Sequence, residues 1–148
     1  MRFMLTVLLF GVSTLAFGEV KVDNAMVRLL PPGVPNTAGY FSLTNTGAEE
    51  RVLVGASCDA VKKAELHDHQ MINGMMKMVH QQQVVVPAGQ TLTFQPGGLH
   101  LMLFGLQTPL KEGQQVPFTL MFADGEQIKV SAVVRAAMPE VDHSHHHH

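Results

Sequence analysis

Cysteine is nearly absent from this 148-residue chain, with Cys58 its single thiol. Without a second thiol there is no internal disulfide and no thiolate-built zinc or iron–sulfur centre. A blue-copper electron-transfer site is excluded on spacing, because it needs a Cys close upstream of a His and a Met, whereas Cys58 precedes every other candidate ligand. The bland role of a free Cys, a small packed side chain, is therefore expected for Cys58. Tryptophan is missing and tyrosine occurs once. Charge is sparse as well: 10 basic and 12 acidic residues are scattered along the chain, which gives no basic face for nucleic acid and no polybasic membrane patch. No Ser or Cys is arranged with a base, and no His–carboxylate group suggests a water-bearing metal, so the chain is not read as an enzyme. Asp68, beside His67, is most simply a solvated turn residue.

One long apolar run is present. Residues 1–18 combine Arg2, an apolar stretch over 4–10 and the small-x-small sequence Ala16-Phe17-Gly18, the layout of a secretory signal cleaved before Glu19. The run contains Gly11, Ser13 and Thr14 and falls short of the roughly 20 residues needed to span a bilayer, so no stable membrane insertion is expected after cleavage. No Cys follows it closely, which argues against a lipid anchor.

Sustained helical periodicity is also lacking. In its place come short β-like runs at 20–28, 38–45, 51–57, 64–69, 75–80, 90–94, 100–106, 115–122 and 127–134. Between them lie turn signals such as Pro31-Pro32-Gly33, Asn73-Gly74, Pro96-Gly97-Gly98 and Asp124-Gly125. The pattern predicts one all-β domain over 19–134, a sandwich or small Greek-key barrel, followed by a solvated tail over 135–148.

Against these shortages, methionine and histidine are abundant, at ten and nine residues. His67, Met78, His100 and Met102 follow one another in the order His, ten residues, Met, twenty-one residues, His, one residue, Met. Thioether sulfur and neutral imidazole suit Cu(I) better than zinc, calcium or magnesium. Asn73-Gly74 between β-like arms predicts a two-residue type I′ turn. Residue pairs summing to 147 then face each other, so that Met71 meets Met76, His69 meets Met78 and His67 meets His80, all on one face. Met71 and Met76 are expected to pack or to back up a site rather than to bind. The hairpin register alone leaves His67, His69 and His80 equally placed. His100 and Met102 share a face of a separate strand while Leu101 points the other way.

The phrases Ala64-Glu65-Leu66-His67, Gly74-Met75-Met76-Lys77-Met78, Pro96-Gly97-Gly98-Leu99-His100-Leu101-Met102-Leu103 and Leu110-Lys111-Glu112-Gly113 closely resemble the PCu(A)C family of periplasmic copper chaperones. The run from Ala38 to Gly47 is similar to that family's opening strand, and the likeness extends over about 20–134. The resemblance implies a cupredoxin-like β-barrel that binds one Cu(I) through His67, Met78, His100 and Met102, so it selects His67 among the three histidines. It further implies a periplasmic location and delivery of copper to the assembling copper site of cytochrome c oxidase, beside a Sco-like partner of thioredoxin fold. A copper buffer or scavenger without delivery would use the same ligands. Cys58 stands in Ser57-Cys58-Asp59, where the family commonly has Pro after the Ser, so the thiol is not one of the family's ligands. The tail residues His143, His145, His146, His147 and His148 lack the six consecutive histidines of a usual purification tag. They are read as a native metal-gathering tract for Cu(II).

Overall fold

The computed structural model describes residues 19–136. The signal segment and tail histidines His143 to His148 lie outside the described residues. Ten strands follow one another: β1 (Val20–Arg28), β2 (Asn36–Asn45), β3 (Arg51–Ser57), β4 (Val61–Ile72), β5 (Met75–His80), β6 (Val84–Val86), β7 (Thr91–Phe94), β8 (His100–Leu106), β9 (Gln115–Phe122) and β10 (Gln127–Arg135). Nine of them correspond to the runs read from sequence. The tenth, β6, is only three residues long, too short for an alternating pattern to register. β4 is longer than expected because it pairs with β8 from Val61 onward and with β5 right up to the turn.

Alternation explains the strands. Val116, Phe118, Leu120 and Phe122 of β9 are buried while the residues between them are half-buried or exposed, the period-two signature of a sheet with one face in a core. The strand order is β5-β4-β8-β2-β1-β10-β9-β3-β6, with β7 on the second half of β2. β1 and β10 run parallel and the remaining pairs antiparallel. Leu66 from β4, Leu101 from β8, Phe41 from β2, Phe118 from β9 and Leu53 from β3 belong to one contiguous core. Strands from both ends of the sheet thus close over the same interior, and the expected all-β barrel or sandwich is found as a folded-over mixed sheet. Phe41 and Phe94 stack at 4.3 Å between ring centroids, worth about 0.5–1.5 kcal/mol beyond their area. Cys58 lies in this core, its Sγ 3.5 Å from the Pro117 carbonyl, and burial pushes its thiol pKa up. The packed role expected of it is the one observed.

Two topological facts position the histidines and methionines. β4 pairs with β8 only as far as His67 opposite His100, and β5, at the sheet edge, pairs with β4 alone. Past His67 the β4–β5 hairpin therefore projects beyond the body of the sheet.

Candidate metal centre

Asn73 and Gly74 have φ values of 51° and 76°, the two left-handed residues that a type I′ turn requires. The turn sets the register anticipated from sequence: Met71 with Met76, His69 with Met78, and His67 with His80. On the other side of β4, His67 pairs with His100 and Glu65 with Met102. Because Leu66, Leu101 and Leu103 fill the core, the alternate positions His67, His100 and Met102 must face outward. The donors from two separate sequence regions so come to lie on adjacent strands. Asp68, by contrast, occupies the middle of β4 opposite Val79 rather than a turn.

His100 is 4% exposed. Burial lowers its pKa, opposed by its bond to the Gly98 carbonyl, so the ring is neutral at pH 7. Nδ1 lies 2.9 Å from that carbonyl oxygen, which can only accept, so Nδ1 carries the proton and Nε2 keeps its lone pair. Nε2 is 3.0 Å from the Met78 thioether sulfur, closer than ordinary van der Waals contact. Two lone-pair-bearing atoms with no proton between them converge on one small volume, and a soft cation satisfies both.

His67 is 9% exposed. Its Nε2 donates to the Glu65 carboxylate at 2.8 Å, which holds the Glu65 pKa below the usual carboxylate range, with Lys63 assisting. His67 Nδ1 has no partner, the one buried side-chain nitrogen or oxygen so left among the described residues. An orphaned buried imidazole nitrogen costs about 1–3 kcal/mol, and ligation would remove that cost, with Glu65 in the orienting role that carboxylates commonly take behind ligating histidines.

The four residues singled out do not all border the same space. Met78, His100, Met102 and His69 line a cleft of about 220 Å³ beside Tyr40 and Pro96. His67 is not among its lining, its ring lying 5.8 Å from that of His100 and 5.4 Å from that of His80. The His69 ring lies 5.1 Å from that of His100, so the structure brings to the cleft a histidine other than His67, the one the family resemblance implies. Among the described residues no group of three or more His, Cys, Asp or Glu is gathered for a metal; the gathered donors include thioethers. Met71 and Met76 correct an expectation: they are 65% and 54% exposed, neither packed nor behind a site, because the hairpin tip extends past the last β8 pair.

A family model described as "Putative lipoprotein LpqE-like" matches residues 20–134. The chain is 37% identical over 117 residues to "Putative lipoprotein Lxx21020" of Leifsonia xyli subsp. xyli, covering 78% of this chain and 69% of that one. Its structure is similar to the solution structure of Cu(I)-DR1885 from Deinococcus radiodurans, with a TM-score of 0.62 and 34% identity over 84% of this chain and 82% of that chain. It is likewise similar to the copper-bound PCuAC domain from PmoF2, with a TM-score of 0.68 and 20% identity over 82% of this chain and 97% of that domain. The barrel implied by the resemblance in sequence is the fold these solved domains share.

Proposed function

The chain belongs to the LpqE-like family, and from that membership and the donor geometry we propose that it binds one Cu(I) ion in the cell envelope and hands it to the copper site of cytochrome c oxidase. The observation that carries the binding step is the 3.0 Å approach of His100 Nε2 to the Met78 sulfur, with Nδ1 already committed to a carbonyl. The ligands are His67, Met78, His100 and Met102. His69 is the alternative to His67, favoured by its place on the cleft. The copper reported for Cu(I)-DR1885 and for the PmoF2 domain supports the choice of metal, and the lipoprotein description of the family supports an envelope location, here the periplasm. The role is carriage rather than catalysis. Thioethers do not form disulfides, and a donor set of neutral ligands at an open cleft lets an acceptor's ligand enter before the donor's leave.

Competition against a chromophoric Cu(I) chelator tests the site. His100→Ala and Met102→Ala each weaken binding by at least about tenfold, since losing even a supporting partner of a ligand costs that much; wild-type affinity in both refutes the assignment. His67→Ala and His69→Ala, measured side by side, decide which imidazole completes the set, with His80→Ala as control. Delivery is tested by mixing loaded protein with the apo copper-binding domain of the oxidase and following the acceptor's copper spectrum. A rate no faster than from free chelate leaves buffering, without delivery, as the function.

A further inference from the structure

The hairpin that supplies Met78 carries donors beyond those the proposed site uses. Across a two-residue turn the flanking residues, here Ile72 and Met75, form the hydrogen-bonded pair, so the next pairs alternate from non-hydrogen-bonded to hydrogen-bonded. Met71/Met76, His69/Met78 and His67/His80 are consequently all non-hydrogen-bonded pairs, in which the Cα atoms approach to about 4.5 Å and the side chains lie closest. All three stand on the face that also bears the His100 ring. Successive pairs are about 7 Å apart along the strands.

The ladder is graded in two respects. Its donors change from two thioethers at the tip, to imidazole with thioether, to two imidazoles at the base. Exposure falls in the same direction along the β4 arm, from Met71 at 65% through half-buried His69 to His67 at 9%, with His100 beside it on β8 at 4%, whereas Met76, Met78 and His80 on the β5 arm all stay exposed. Nothing packs against the tip pair, so hydrophobic burial does not account for two methionines there. Two thioethers with no imidazole form a weaker Cu(I) site than a mixed set, and a weak outer site is what inward transfer requires.

We infer that Met71 and Met76 form a second, weaker Cu(I) site, through which monovalent copper passes to and from the inner His/Met centre by way of His69 and Met78. This rests on the reading of the inner centre as a copper site. Transfer is ligand exchange without change of oxidation state: a sulfur of the tip pair leaves as a donor of the next pair binds.

The full chain, labelled with ¹³C at the methionine methyls, is titrated with silver(I) as an air-stable monovalent surrogate. The Met78 and Met102 methyls shift with the first, tight event, and those of Met71 and Met76 with a second, weaker one. Met75, equally exposed at 64% but on the opposite face, stays in place and serves as the internal control. In the Met71→Leu/Met76→Leu double variant the tight event is retained, the weaker shift is gone, and Cu(I) uptake from a Cu(I)–chelator complex is slowed several-fold. Met71 and Met76 methyls that move no more than Met75, or uptake by the double variant at the wild-type rate, overturn the tip site while leaving the inner centre standing. Silent Met78 and Met102 methyls overturn the inner centre itself.

Discussion

Gly74 offers a way to weaken the proposed copper site without touching a ligand. Its φ of +76° is in the left-handed region, and a Cβ built there meets no atom within 4 Å. Gly74→Ala therefore adds backbone strain and no clash, a cost of about 1–2 kcal/mol. Where that cost falls follows from the topology. β5 pairs with β4 alone and contributes no buried side chain, and an isolated two-stranded pairing is marginal in water, so the strain opens the hairpin rather than unfolding the barrel. Opening carries Met78 away from His100. Since apparent affinity scales with the fraction of protein in the competent state, a hairpin that is marginal to begin with loses roughly 3–15-fold in Cu(I) affinity while the thermal midpoint barely moves. Gly125 is the matched control: its φ is +90°, and it too has open space around a built Cβ, but it joins β9 to β10, whose Phe118, Leu120 and Val130 are core residues. Gly125→Ala should lower the midpoint by roughly 4 °C per kcal/mol of strain and leave copper affinity unchanged. Chelator competition and thermal denaturation of both variants form a crossed test. Gly74→Ala with wild-type affinity, or with a midpoint lowered as far as in Gly125→Ala, refutes the idea of a locally stabilised donor arm.

Other consequences can be checked with the same two assays and simple chemistry. Glu65→Ala frees the tautomer of His67 and lowers Cu(I) affinity about 10-fold or more if His67 is a ligand, whereas Glu65→Gln keeps an acceptor for Nε2 and stays near wild type; equal affinities in all three proteins remove Glu65 and His67 from the site. Leu66→Ala, at 1% exposure on the core face of β4, costs about 2–5 kcal/mol by denaturant unfolding and leaves one tight Cu(I) bound in the folded fraction. Cys58 stays a protonated, shielded thiol at neutral pH because burial raises its pKa, so a thiol-specific disulfide reagent reacts with it only as fast as the protein unfolds. The stability this provides is full below the thiol's unfolded pKa and is lost as pH rises through the folded one; fast labelling of native protein contradicts the burial. Deleting residues 142–148 lowers the number of Cu(II) ions the full chain binds, and an unchanged stoichiometry ends the case for the tail as a Cu(II) tract.

The parts of this architecture written locally could be read from the sequence. Asn73-Gly74 prescribes a turn type, the turn prescribes a register, and the register places six donors on one face. What stayed out of reach was non-local. His67 and His100 are far apart in the chain, and only the strand order makes them neighbours; period-two alternation says which face a residue takes, never which strand lies beside it. The same gap misled the expectation for Met71 and Met76. A methionine on a hairpin rung packs if a third strand lies alongside, and β8 stops at His67, two rungs short of them. The choice between His67 and His69 is harder still, because it depends on ring orientation: Glu65 turns His67 to one side, and no spacing rule reports that.

The donor face has two mechanically different halves, and that asymmetry suits a carrier better than a permanent metal centre. His67, His100 and Met102 alternate with Leu66, Leu101 and Leu103, which are at most 1% exposed. Shifting β4 or β8 by one residue would drive a histidine into the core and a leucine into water, at several kcal/mol for each exchange, so these donors are fixed as firmly as the core is. Met78 has no such anchor. Its strand is held by backbone bonds to β4 and by two left-handed turn residues, and the residue is half-exposed. A metal held partly by a rigid base and partly by a loose arm can lose the arm's ligand first, present an open position to an incoming donor, and leave without the barrel unfolding. A structural metal site would be expected to anchor every ligand through the core; here the one donor left unanchored is the thioether that meets His100 at 3.0 Å.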